Sequence, residues 1–340
     1  MNPEPIDRLE FDTAQLVAEH PPHLHDPNKK IVYEIACPPG CVHAGRIGYS
    51  RWGAMPLPER ADPAAAVARA LVHAGVYDYT PAHERREAVE WHVNFADPLL
   101  FAAYGSALLA QDEWQTAEHP ALGSLVEALN ARGQPGMTVH EKSPTPVLVT
   151  GVERRCVIAT DQNAAEGRVR GLYGGAFARA EADVVRRATR RIEPPTVSHL
   201  IAIAAPVGGF GRYTADQIGH VLATAFTGFR AAVLESERVS GEMSGRRGAS
   251  PPVVVHSGFW GCGVFGGNRL LMTILQMLAA EMAGVERLVL HTVDEAGVRT
   301  IDEAREALSG ELAQGGVAEV AALVNAMVSM GFEWGVGDGN

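Results

Sequence analysis

The sequence predicts an α/β fold of three layers. A central sheet covered by helices on both faces spans residues 88–335, behind an N-terminal accessory segment of residues 1–87. Three observations lead there. From residue 88 onward, short apolar runs alternate with longer stretches of helical spacing. The candidate strands are apolar almost throughout rather than alternating, which means that both sheet faces are covered. The chain has 340 residues, 46% of them hydrophobic and 20% charged, which is enough for a sizeable core.

Taken in order, residues 1–30 are polar and proline-bearing, with Leu9, Phe11, Leu16 and Val17 able to support a short helix. Residues 31–36 read as a strand stopped by Cys37-Pro38-Pro39-Gly40. Residues 62–74 read as a helix, with Asp62 as cap and Pro63 in its first turn. Residues 89–95 read as a strand, and residues 106–114 as the start of a helix that stops near Pro120. Residues 146–150, 197–205, 251–256 and 287–291 are further strands. A long helix is expected over 213–239, with Ile218, Val221, Leu222, Phe226 and Phe229 on its apolar side. Residues 268–283 are apolar nearly all round, as in a buried helix. Residues 301–312 and 317–330 read as closing helices, and 159–175 and 240–250 as loops.

Composition narrows the function. A formal net charge of −11 argues against broad affinity for nucleic acid. No window reaches the roughly 18 apolar residues of a membrane span, and the N-terminus lacks a secretory pattern. The four scattered cysteines fit a reducing cytoplasm better than a disulfide framework.

Two segments carry chemistry. The first is Ser257-Gly258-Phe259-Trp260-Gly261-Cys262-Gly263-Val264-Phe265-Gly266-Gly267, between a buried strand and a buried helix. Such a loop presents backbone amides, and the helix dipole behind them favours a phosphate or diphosphate. Gly261, Gly263 and Gly266 also satisfy the dinucleotide fingerprint, so a nicotinamide-dependent oxidoreductase is a rival. That fingerprint normally opens a doubly wound domain, whereas fewer than about eighty residues follow here. No lysine follows the glycines, which excludes a P-loop. The second segment is Gln111-Asp112-Glu113, after the strand end Val93-Asn94-Phe95-Ala96-Asp97. Adjacent carboxylates raise one another's pKa, and a raised carboxyl can protonate a glycosidic leaving group. On spacing alone, a solvated acidic turn at a helix end is the better explanation of the pair.

Together these segments resemble the catalytic domain of the poly(ADP-ribose) glycohydrolase family, as a divergent bacterial-type member. The likeness covers about residues 90–295 and is strongest at the two motifs. It implies a macrodomain-like mixed sheet and hydrolysis of the ribose glycosidic bond in poly- or mono-ADP-ribose conjugates, with no cofactor and no metal. By the resemblance, Glu113 is the catalytic acid/base and Asp112 holds the adjacent ribose. Asp97 and Gln111 border that ribose, and Phe101 lines or fills the pocket. Gly258, Phe259, Gly261, Cys262, Gly263, Val264, Phe265 and Gly266 form the diphosphate loop. Phe101-Ala102-Ala103 departs from the family, which has three glycines there, and Asp112 shortens its first acid. These departures point to altered linkage preference, or to a module that binds ADP-ribose without turnover. The implied ligand is ADP-ribose or an ADP-ribosylated macromolecule, and the acidic chain suits a single or terminal unit better than a long polymer. Tyr173 and Tyr213 are candidates for the adenine side.

Other residues read as structural. Cys37, Cys41 and His43, with His20, His23, His25 and Asp26 upstream, offer soft ligands but not an obvious fourth for zinc. Cys262 reads as a small packing residue, although a helix dipole could activate it. His256 and His291 read as core or pocket wall, and Arg246-Arg247 as a solvated tip.

Overall fold

A computed structural model describes residues 3–82, 88–244, 250–312 and 316–337, so Arg246 and Arg247 lie outside the described residues. The chain begins with β1 (Asp7–Asp12), α1 (Thr13–Glu19), α2 (Pro27–Ala36) and β2 (Arg46–Arg51). A two-residue strand β3 (Arg60–Ala61), α3 (Pro63–Arg69) and β4 (Ala70–His73) follow. Next come β5 (Val89–Ala96), α4 (Gln111–Glu118) and α5 (Ala121–Ala131), then the short pair β6 (Val139–His140) and β7 (Ser143–Pro144). The long strands β8 (Val147–Ile158) and β9 (Thr189–Ala204) flank α6 (Ala182–Ala188). The remainder is α7 (Ala215–Ser244), β10 (Val253–Ser257), α8 (Arg269–Ala283), β11 (Arg287–His291), α9 (Glu295–Ser309), β12 (Ala318–Glu319) and α10 (Val320–Met330).

Eight strands form one mixed sheet in the order β1-β2-β8-β9-β5-β10-β11-β4. β9, β5, β10, β11 and β4 run parallel, and β1, β2 and β8 pair antiparallel at the other end. Strand alternation sorts the side chains into two layers. Trp91, Val93, Ile201, Ile203 and Val255 share a core with α7 and α8. Leu200, Ala202, Val147 and Val149 share another with α1 and α5 on the opposite face. A third cluster joins α2 and α6 to the far end of β8.

The structure corrects the sequence reading at several elements. Residues 31–36 are helical, not extended. Asp26 caps the helix by accepting from the Lys29 amide at 3.0 Å, Pro27 starts it, and Ile31, Val32 and Ala36 face the third cluster. Capping and burial override the strand propensity of Ile-Val-Tyr. The helix expected over 62–74 ends at Arg69, and its remainder pairs with β11 as an edge strand. The helix near 106–114 starts only at Gln111. The preceding segment is held as turns, with the Gly105 carbonyl accepting from the amides of His25 and Asp26. β8 and β9 extend well beyond the expected strands because they pair with each other through two irregularities. At the first of these, Gly151 has φ +75° and lies against the Arg46 carbonyl, where a Cβ would collide. The N-terminal segment contributes β1, β2 and β4, at both ends of the same sheet as the later strands.

Candidate active site

The site is assembled at the carboxyl end of β5. Its side chains alternate, so Trp91 and Val93 enter the α7–α8 core while Asn94 points to the other face. There the Asn94 amide donates to Asp112 Oδ1 at 2.9 Å. Gln111, the first residue of α4, ties the helix to the strand. Its Nε2 donates to the Val93 carbonyl at 3.0 Å, and its Oε1 accepts from the Phe95 amide at 2.8 Å. Both ends of the Gln111 side chain are thus spent on positioning α4.

Asp112 and Glu113 are 5% and 3% exposed. Glu113 Oε2 accepts from the Ala110 amide at 3.1 Å, which holds the carboxylate at the positive end of α4. Burial raises its pKa above the ordinary carboxylate value, against the pull of backbone hydrogen bonding and the Lys29 ammonium. Burial and then the Glu113 charge raise the Asp112 pKa well above its usual value, while Asn94 and Lys29 oppose them. Asp112 Oδ2 is buried with no hydrogen-bond partner among the described residues. Asp97, in the turn beyond β5, also has its pKa raised by burial, and its charge acts on both acids.

Lys29 is the component that the sequence reading missed. It lies on α2, is almost fully buried, and its Nζ donates to the Tyr104 carbonyl at 3.1 Å. Burial lowers its pKa to about 8, partly offset by Glu113, Asp112 and Asp26. The signal was the Asp26-Pro27 helix start, obscured by the strand-like run after it.

The glycine loop caps the neighbouring strand ends. β10 lies beside β5 in parallel register, with His256 opposite His92, so Ser257 and Gly258 continue beside Val93 and Asn94. A Cβ at Gly258 would stand 3.6 Å from the Phe95 ring and 3.1 Å from the His291 carbonyl. Trp260 is fully buried and donates to the Ile203 carbonyl at 2.9 Å, anchoring the loop over β9. Gly261 takes φ +74°, and a Cβ there would sit 2.5 Å from that of Ala205. The Cys262 amide donates to Phe259 O at 3.0 Å, so it is engaged inside the loop rather than offered outward. Among the described residues, the amides of Gly261, Gly263, Val264 and Phe265 have no protein acceptor. Val264 is half exposed at the tip. Phe265 packs on the core, and Phe259 lies under the Arg269 guanidinium at 4.8 Å. Gly266 accepts from the Gly335 amide at 2.8 Å, which brings the C-terminal tail against the loop.

The other candidates differ in burial and in partners. Phe101 keeps the left-handed backbone that a glycine would take (φ +52°), but its ring is fully buried in the α1–α5 core. Tyr213 is buried, stacks on Trp334 at 4.1 Å, and its hydroxyl accepts from the Asn268 amide. Tyr173 is 40% exposed. Burial raises the Cys262 pKa to about 12, opposite to the activation that a helix dipole would give. His256 bridges Glu90 at 2.9 Å and His291 at 3.2 Å, and burial takes the His291 pKa down to about 3. The oxidoreductase reading loses its topology. Among the described residues after the fingerprint, the main sheet gains only β11, and β11's other neighbour, β4, comes from the start of the chain.

Residues 175–300 match the family described as poly(ADP-ribose) glycohydrolase (PARG), macro domain fold. That span is a little over a third of the chain. It contains the glycine loop and lies downstream of the acidic pair. The resemblance to the PARG catalytic domain and the macrodomain-like three-layer fold therefore both hold. No curated protein matches the sequence. Similar solved structures include PARG from Thermomonospora curvata (16% identity, TM-score 0.39, covering 86% of this chain and 88% of that one). PARG from Deinococcus radiodurans in complex with ADP-ribose is 14% identical, with TM-score 0.36 and coverage of 74% and 90%. A Trypanosoma brucei macrodomain in complex with ADP is 11% identical, with TM-score 0.36 and coverage of 88% and 99%. Likeness at this level says nothing about individual site residues.

Proposed function

We propose that this chain is an ADP-ribosyl glycohydrolase of the PARG type. The observation that carries the reading is the buried Asp112–Glu113 pair at the carboxyl end of β5, beside a glycine loop on the adjoining strand whose Gly261, Gly263 and Val264 amides have no acceptor among the described residues. In an open α/β sheet this is where ligands bind. The amides of Gly261, Gly263 and Val264 suit a diphosphate, and the acids suit the ribose whose C1″ bond breaks.

In this scheme Glu113, whose pKa is raised by burial, gives its proton to the leaving oxygen as the C1″–O bond breaks. The resulting carboxylate takes a proton from the water whose oxygen adds to C1″, which restores the acid. In the same scheme a ribose hydroxyl donates to Asp112 Oδ2, which has no hydrogen-bond partner among the described residues. Asp97 sets the local field with the pair, and Lys29 limits how far their pKa values rise.

The alternative, a module that binds ADP-ribose without turning it over, draws on the loss of glycines at 101–103. The Phe101 geometry supports the hydrolase instead, because its backbone remains glycine-like and its ring leaves for the core. A single ADP-ribose group or a chain end is the substrate that fits the acidic surface.

The deciding experiment measures ADP-ribose release from mono- and poly-ADP-ribosylated protein by wild type and Glu113→Gln, with calorimetric ADP-ribose binding on the same samples. Release is expected to fall about 10²–10⁴-fold in the variant while binding persists. Binding without release in the wild type would leave the binding-module reading standing.

A further inference from the structure

Outside the acidic site, a second cluster lies where α2 ends. Cys37, Cys41 and His43 each bring one ligand atom within 4.8 Å of the others. The sequence builds this proximity locally. Cys37 is the C-cap of α2, and the chain then turns through Pro38-Pro39-Gly40. The Cys41 amide donates to the Pro38 carbonyl at 2.9 Å, and Gly40 takes φ +81°. Proline followed by glycine at the two central positions is the signature of a type II turn. The turn folds Cys41 back over the helix end, and His43, two residues on, is turned inward and buried.

The surroundings of His43 choose its tautomer. Its Nδ1 is 3.2 Å from Glu153 Oε2 on β8, and its Nε2 is 3.7 Å from Cys37 Sγ. With the proton on Nδ1 directed at the carboxylate, the Nε2 lone pair faces Cys37 Sγ, with the Cys41 sulfur within the same cluster. A carboxylate behind the far nitrogen is the usual support of a metal-ligating histidine. That carboxylate is itself held: Arg155 donates to Glu153 Oε2 at 3.0 Å and also binds the Val42 carbonyl, and the Ala44 amide donates to Glu153 Oε1 at 3.3 Å. The loop bearing two of the three ligands is therefore clamped to β8 from both sides.

We propose that Cys37, Cys41 and His43 bind a zinc-class divalent cation, with Glu153 as the supporting carboxylate and the fourth position left to water. The spacing fits. A sulfur about 2.3 Å and a nitrogen about 2.05 Å from one tetrahedral ion lie about 3.6 Å apart, close to the observed separation. Two thiolates and an imidazole select zinc over the hard cations. Two other clusters on the sheet, Glu90–His92–His256 and His73–Asp78–His291, contain no sulfur. In the first, the rings of His92 and His256 stack with an 11° interplanar angle, so one ion cannot lie in both ring planes. The bound cation would pin the end of α2, the helix that carries Lys29, and would join the N-terminal segment to β8.

The test uses the full chain, purified reduced and untagged. Metal content is measured by mass spectrometry, and the chelator-stripped protein is titrated with Co²⁺ under visible and near-ultraviolet absorption. One equivalent is expected, with four-coordinate bands and a thiolate-to-cobalt charge-transfer band. Two of the four thiols should resist a thiol reagent until chelator is added. Cys41→Ser should weaken the charge-transfer band, since only the Cys37 thiolate remains, and lower the affinity for cobalt. Glu153→Gln should keep it while affinity falls about 10–100-fold. Cobalt bound without a thiolate band would place the metal at one of the histidine clusters and overturn the assignment. So would the absence of stoichiometric binding, or unchanged binding in Cys41→Ser. If Cys41→Ser does not fold, thiol protection in the wild type and the Glu153→Gln affinity decide.

Discussion

At Asp112 a carboxyl is buried where its charge is disfavoured, and the expected consequence is a trade between stability and function. Its folded-state pKa is raised by burial and by Glu113. The stability it contributes is therefore complete below the unfolded aspartate value, about 3.9. It is lost as pH rises through the folded value. Asp112→Asn keeps a group able to accept from Asn94 but carries no charge. It should be more stable than wild type at pH 8, by about 1 kcal/mol or more, and so unfold at higher temperature, with the advantage vanishing near pH 4. A pH series of thermal melts checks this, and a constant difference across the range would contradict it. The acidity of Asp112-Glu113 was legible in the sequence. Its burial was not, since the same triplet suits a solvated helix start. What buries it is the pairing of Gln111 with the backbone of β5 and of Asn94 with Asp112.

Among the elements, α2 and the glycine loop carry opposite lessons. The loop was readable because its glycines answer to local geometry: φ +74° at Gly261 and the contact with Ala205 admit no side chain. Gly261→Ala should weaken ADP-ribose binding at least about tenfold with little change in helix content, as calorimetry and circular dichroism would show. By contrast, α2 was misread because Ile31 and Val32 favour strands when taken alone, and its role came from tertiary placement. Lys29→Met removes a cation that holds the Glu113 pKa down. The carboxyl then keeps its proton to higher pH, and the alkaline limb of kcat/KM should move upward. An unmoved limb would show that Lys29 serves only to pack α2 against Tyr104.

For the molecule as a whole, the N-terminal segment completes the sheet at both ends. β2 covers β8, β1 covers β2, and β4 covers β11. A chain starting at residue 88 would expose the unpaired edges of β8 and β11 and lose Lys29 from beside the acids. It is expected to be insoluble, or to fail to bind ADP-ribose when refolded. A soluble truncated chain with wild-type affinity, measured by calorimetry, would show that the later residues are self-sufficient.

By itself, the sequence determined the α/β class, the strands near 251–256 and 287–291, the buried helix after the glycine loop, and the two motifs that chemistry needs. These follow from short-range rules: apolar runs, caps, glycine conformations and adjacent charges act over a few residues. Tertiary structure decided which strands neighbour one another, and so set the acids beside the glycine loop. It also joined residues 7–73 to the sheet, and brought Lys29 to Glu113 and Glu153 to His43. Those juxtapositions join residues 84 and 110 positions apart. They depend on the pairing of whole elements, which no local window of sequence contains.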